Sequence, residues 1–189
     1  MLIVLSIPFC TRWFSTVKYY FSDEGEQASS LLEYRLTGTT AEVVGLKKGH
    51  NKETVIIPEK TICCGYLCTV TSIGIGAFLG CCGLTSVEIP SSVKKIGEKA
   101  FQKCRRLTSV EIPSTVTEIG DYTFEDCSGL TSIKIPSSVT RIENYAFYGS
   151  IGLTSVEIPS SVRKIGDYVF SGYSGLTSVK ILSSVTKIG

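Results

Sequence analysis

At 189 residues, 43% hydrophobic and 19% charged, the chain carries enough apolar material for one domain or a single repeat array, and its composition excludes disorder. Nineteen Lys and Arg against seventeen Asp and Glu leave a net charge of +2, too even for a protein that grips nucleic acid by neutralising phosphates. A single histidine, His50, leaves little material for general acid–base catalysis or zinc, so no enzyme, cofactor or metal is expected.

Residues 1–30 form an uncertain N-terminal segment. Its first nine residues, MLIVLSIPF, have the apolarity of a short secretory core, but no basic start and no small-residue cleavage site accompany them. Phe9 before Cys10 also spoils a lipoprotein reading, and a strand-like terminus is the alternative. No apolar run reaches the roughly 18 residues needed to span a bilayer.

Residues 31–75 read as a β-rich cap. LLEYRLTG and TTAEVVGL are two strands around Gly38, followed by a polar loop that holds His50. Thr54–Ile62 matches the strand half of a repeat found downstream, and Ser72–Cys81 matches its second half. Between them nine extra residues alternate in polarity around Cys64–Gly65, a pair suited to a hairpin turn. Such a cap hides the first apolar face of a stacked array.

Residues 76–189 read as that array. LTSVEIPSSVKKIGEKAFQKCRR from Leu84 recurs with small changes from Leu107, Leu130 and Leu153, and a shortened copy starts at Leu176; the period is 23 throughout. In each copy an alternating strand ends at a proline, and Val93, Ile96, Ala100 and Phe101 then follow as on one face of a short helix or irregular turn. One unit has nothing to bury its apolar side against. Stacking solves this, because Leu84, Ile96 and Phe101 each meet their own equivalents one repeat away. The predicted fold is therefore a repeat solenoid of 23-residue units with a parallel β ladder and short helical or irregular returns. The chain stops at Lys187–Gly189, part-way through a repeat and without a polar cap, as expected of a piece of a longer protein.

The motif LTSVEIPSSVxxIGxxAFxxC resembles the BspA-like, or Treponema pallidum-type, leucine-rich repeats, over about Thr54 to Gly189. Ser150 and Tyr173 depart from the pattern at the column cysteine, Glu143 at the glycine and Leu182 at the proline. The resemblance implies a secreted or cell-surface protein used for adhesion or protein binding, with a protein or glycan on another cell or matrix as partner. The uncapped last repeat adds a face for self-association. Structural spacer repeats within a longer surface protein are the alternative, followed by a metal- or thiol-based activity in the Cys-rich hairpin.

Two exposed columns are candidate binding residues. The strand ladder, expected on the concave side, presents Ser86, Glu88, Ser109, Glu111, Ser132, Lys134, Ser155, Glu157, Ser178 and Lys180. Opposite charges on neighbouring strands also support the ladder itself. The other column is Tyr122, Tyr145 and Tyr168, amphipathic side chains suited to an interface or to covering the core. Cys81, Cys104 and Cys127 share a column that also accepts Ser150 and Tyr173, which favours small buried groups over a redox or metal ladder. Cys63, Cys64, Cys68 and Cys82 lack the paired knuckles of a zinc site, leaving a local disulfide or free thiols. Gly74–Gly80 imitates a dinucleotide loop, but its residues are accounted for by the repeat.

Overall fold

The computed structural model describes residues 31–48, 52–63, 66–182 and 184–189. The N-terminal thirty residues, His50 and Cys64–Gly65 lie outside the described residues. Each 23-residue copy forms one coil with three sides. The first side is the strand ending at the proline: β3 (Thr54–Ile56), β6 (Ser86–Glu88), β8 (Ser109–Glu111), β10 (Ser132–Lys134), β12 (Ser155–Ile158) and β14 (Ser178–Ile181). The second is a two-residue strand: β7 (Lys95–Ile96), β9 (Glu118–Ile119), β11 (Arg141–Ile142), β13 (Lys164–Ile165) and β15 (Lys187–Ile188). Strands of each set pair parallel in the register of the repeat, Ser109 with Ser132 and Ile142 with Ile165, with breaks in the ladders between β10 and β12 and between β7 and β9.

The third side settles the expectation of a helical or irregular return: it is a run of turns. Along it, amides bond alternately within the coil and to the next one. Ala100 N donates to Gly97 O at 3.2 Å and Cys104 N to Phe101 O at 3.1 Å, whereas Phe101 N reaches Thr123 O of the next coil at 3.0 Å. A helix would use every amide internally. Here half of them tie coil to coil, which suits a solenoid whose stability lies in nearest-neighbour interfaces.

Side chains at the repeat columns fill the interior. Leu84, Leu107, Leu130 and Leu153 are fully buried, as are Val93, Val116, Val139 and Val162. Phe78, Phe101, Phe124 and Phe147 form a continuous stack with ring centroids 5.2, 5.5 and 5.6 Å apart and planes within 4°. Phe170 continues it at 6.0 Å but is only partly buried. Burial of each such side chain contributes about 1.5–3 kcal/mol.

Two turns make the coil compact enough to stack. Pro90, Pro113, Pro136 and Pro159 each accept a bond from the valine three residues on, at 3.0–3.1 Å. Gly97 then passes so close to the preceding coil that a Cβ there would fall 2.7 Å from the backbone of Gly74 and Ile75. At the equivalent Gly120 the nearest heavy atom is 3.6 Å away.

The strands that precede the repeats continue these ladders. The hairpin of β1 (Leu32–Thr37) and β2 (Thr40–Leu46) turns at Gly38, in the left-handed region with φ +61°. β2 runs parallel to β5 (Tyr66–Ile73), so Val43 sits against Ile73 as Ile73 sits against Ile96. The insertion is accommodated by β4 (Lys60–Cys63) and the first part of β5, which pair antiparallel. β3 therefore aligns with β6 at an offset of 32 residues, Thr54 opposite Ser86, the insertion having been looped out.

Candidate functional site

All the strand-side candidates except Ser86, which is half-buried, are exposed: Glu88, Ser109, Glu111, Ser132, Lys134, Ser155, Glu157, Ser178 and Lys180. Ser86 Oγ donates to Thr54 Oγ1 at 3.0 Å. Glu157 and Lys180 close to an ion pair of 3.2 Å, as the cross-strand argument expects. Glu111 and Lys134 are opposite each other in register. Beside them Thr108, Thr131 and Thr177 donate their hydroxyls to the preceding coil's threonine carbonyl at 3.1, 3.3 and 2.9 Å, which leaves this border rigid.

Tyr122, Tyr145 and Tyr168 form a second ladder, on the turn side. Their centroids are 4.9 and 5.0 Å apart with nearly parallel rings, and Tyr168 is 59% exposed. All three tyrosines take positive φ, +56° to +57°, and so does Lys99 at the equivalent place one coil earlier. L-residues pay roughly 1–2 kcal/mol for that conformation. Lys99 Nζ lies 5.1 Å from the centre of the Tyr122 ring, capping the ladder with a cation. Desolvation raises the Tyr145 phenol above its ordinary pKa, helped by Tyr168, Tyr122, Asp167 and Tyr148.

The cysteine column does more than fill space. Cys104 Sγ donates to Phe78 O at 3.0 Å and Cys127 Sγ to Phe101 O at 3.1 Å. Ser150 Oγ and Tyr173 Oη make the same bond, to Phe124 O and Phe147 O, both at 2.6 Å. The position thus takes a donor, which is why three chemically different residues occupy it. Burial pushes the Cys127 thiol up to about 12 and raises Cys104 and the Tyr173 phenol as well, so these groups stay neutral. Cys81 is only half-buried and Cys82 is exposed. Among the described residues no cluster of His, Cys, Asp and Glu is placed to hold a metal ion.

One surface was not singled out in the sequence. The outward positions of the second strand side are Lys94–Lys95, Thr117–Glu118, Thr140–Arg141, Arg163–Lys164 and Thr186–Lys187. Glu118 and Glu143 hold the cations between them: Arg141 pairs with Glu118 and, at 3.5 Å, with Glu143, and Lys164 Nζ lies 2.5 Å from Glu143. These contacts raise the pKa of Arg141, through Glu118, and of Lys164, through Glu143. The signal was present as cations recurring at the xKI step of the repeat, but an even total charge masked it.

On the turn side a shallow, solvent-open depression is lined by Arg105, Asp126, Tyr148 and Ile151, among others. It offers no enclosure in which a small substrate would be desolvated. Among the described residues no helix is long and apolar enough to cross a membrane.

A stack of 23-residue coils with a leucine column, parallel strand ladders and a phenylalanine spine defines a leucine-rich-repeat solenoid. The family model for the BspA-type leucine-rich repeat region matches residues 69–189 in six copies, and the chain belongs to that family. A leucine-rich repeat protein from Bacteroides ovatus is similar over 86% of this chain and 41% of its own, at 35% identity and a TM-score of 0.76. The T. pallidum leucine-rich repeat protein matches over 85% of this chain and 80% of its own, at 27% identity and a TM-score of 0.73. A leucine-rich cell surface protein from Faecalibacterium prausnitzii matches over 88% of this chain and 56% of its own, at 25% identity and a TM-score of 0.52. No curated protein matches the chain. The chain thus spans about two fifths of the B. ovatus protein and four fifths of the T. pallidum one.

Proposed function

We propose that the chain is a non-catalytic binding module of a secreted or cell-surface protein, engaging a protein partner through its first strand side. The observation that carries this reading is the placement of Glu88 and Glu111 on adjacent parallel strands, whose register sets Ser86 against Ser109 and Val87 against Val110. Like charges on neighbouring strands weaken a sheet. Ladder pairing therefore accounts for Glu111 with Lys134 and for Glu157 with Lys180, but not for Glu88 beside Glu111. Charges of mixed sign along the side suit recognition by shape and hydrogen bonds more than by long-range steering. The cell-surface description of the F. prausnitzii protein supports the location.

The test is a binding screen against purified extracellular-matrix proteins, repeated with Glu111→Lys combined with Lys134→Glu. That double exchange keeps the charge pairing, so the melting temperature stays put while binding weakens. A chain that binds nothing in such a screen would be a spacer. Protease treatment of intact producing cells tests location, since a surface protein is shaved and an internal one is not.

A second reading places the contact on Tyr122, Tyr145 and Tyr168, and their positive φ favours it. Glycine occupies the same place at Gly76 without strain, so tyrosine there costs the backbone something that the fold does not require. Normal binding by the Glu111/Lys134 exchange, with loss in Tyr145→Ala and Tyr168→Ala, would move the site to the tyrosines.

A further inference from the structure

We propose that the second strand side is a binding strip for a linear sulfated polysaccharide. The inference rests on reading the chain as a binding module, but it uses a different face from the protein-binding one. Six of the chain's Lys and Arg residues gather there, Lys94, Lys95, Arg141, Arg163, Lys164 and Lys187, with Glu118 the single acid at the same outward positions. All are exposed except Lys164, which is half-buried. The ladder beneath them sets their spacing: Arg141, Lys164 and Lys187 project from paired positions on consecutive parallel strands, about 4.8 Å apart. Lys95 stands two coils earlier, with Glu118 between.

The arrangement selects a linear ligand. Cations succeed one another along the solenoid axis, one or two per coil in every coil but that of Glu118, so a chain carrying repeated anions meets them in sequence, while a globular partner would meet only a few. Glu118 and Glu143 do not cancel the strip; they hold the Arg141 and Lys164 side chains in place, which lowers the entropy lost on binding. Lys94, Lys95, Arg163 and Lys187 form no ion pair with any described residue and remain available to a ligand.

The threonines supply the second half of the match. Thr140 Oγ1 donates to Thr117 O at 3.2 Å and Thr186 Oγ1 to Arg163 O at 3.0 Å. With their hydrogens committed to the backbone, these hydroxyl oxygens face outward as acceptors. A polysaccharide offers what both groups lack: sugar hydroxyls as donors to threonine, and sulfates as partners for Lys and Arg. A single-stranded nucleic acid would need aromatic platforms for its bases, and the outward positions of the strip carry only Thr, Lys, Arg and Glu. The same list lacks the exposed apolar side chains by which a peripheral protein enters a bilayer.

The experiment measures binding of the 189-residue chain to heparin oligosaccharides, with hyaluronan, poly(U) and phosphatidylserine vesicles as the other probes. Heparin is expected to bind and unsulfated hyaluronan to bind at least about tenfold more weakly at about 0.15 M salt. Lys94→Gln with Lys95→Gln, and separately Arg163→Gln with Lys187→Gln, should each weaken heparin binding about tenfold and flatten its salt dependence. For a flexible polyanion the log–log slope should fall by about 1.4, at roughly 0.7 per cation removed. Both pairs are exposed and outside the core, so melting temperatures should be unchanged; two pairs on different coils guard against one variant that fails to fold. The Glu111/Lys134 exchange should leave heparin binding intact, and this separates the present inference from the protein-binding one. Unchanged heparin affinity in both Gln pairs overturns the proposal. So does binding of poly(U) or vesicles as tightly as heparin.

Discussion

The Ser150 hydroxyl donates to the carbonyl oxygen of Phe124, one coil earlier, at 2.6 Å, and in the preceding coil Cys127 does the same to Phe101. Each interior phenylalanine carbonyl at this level is therefore capped by a side chain of the following coil. A redox or metal role is not needed to account for the column.

Donor chemistry at this position predicts the order of two substitutions at Cys127. Serine keeps the hydrogen and should change stability by less than about 0.5 kcal/mol, in line with Ser150. Valine keeps the volume and loses the hydrogen, and should be less stable than the serine variant by about 1 kcal/mol. Urea midpoints at constant slope would measure both. Equal stability of the two would reduce the column to packing alone.

Stability should fall at alkaline pH for the same reason. In the unfolded chain a thiol ionises near about 8.5, whereas burial holds Cys127 neutral to about 12 and raises Cys104 too. Above pH 8.5 the unfolded state thus binds fewer protons than the folded one. The contribution of these thiols is complete below that pH and declines by about 1.4 kcal/mol per pH unit per thiol as pH rises towards the folded value. A Cys104→Ser/Cys127→Ser chain should show a shallower decline between about pH 9.5 and 10.5, about 1–2 units above the unfolded thiol value. Parallel curves would mean that these thiols ionise as freely folded as unfolded.

Phe124 sits in the middle of the phenylalanine stack, 5.5 Å from Phe101 and 5.6 Å from Phe147. Phe124→Ala should cost about 3–5 kcal/mol. Because the coils hold together through neighbour contacts, the cavity should also split thermal unfolding into two transitions. A loss below about 1 kcal/mol, typical of a surface site, would contradict the stack.

Two glycines in one column should respond differently to alanine. At Gly97 the new methyl would lie 2.7 Å from the Gly74 backbone, so coils must separate and the cost should be about 1–3 kcal/mol. Gly120 has 3.6 Å of room, and Glu143 fills the same position one coil later, so Gly120→Ala should be tolerated. Denaturation midpoints of the two variants give the comparison directly.

The 23-residue period was enough to define the solenoid, its buried leucine, isoleucine and phenylalanine columns, and even the insertion between Thr54–Ile62 and Ser72–Cys81. Repetition does this because every apolar position meets its own copy, so one register satisfies all columns at once. The return side was less legible. Val93, Ile96, Ala100 and Phe101 have spacings that a helix and a chain of turns share, and the choice fell to amides that bond to the next coil, a partner 22 or more residues away. The same distance hid the donor role of Cys104, Cys127, Ser150 and Tyr173, whose acceptors lie 26 residues earlier in the chain. Left-handed φ at Tyr122, Tyr145 and Tyr168 was likewise invisible, since the turn geometry imposed by stacking overrides the preference of the residue. The basic strip needed three dimensions for another reason: Lys94, Arg141, Arg163 and Lys187 are spread along the sequence among enough acids to balance the total, and only the stacking of coils brings them onto one side.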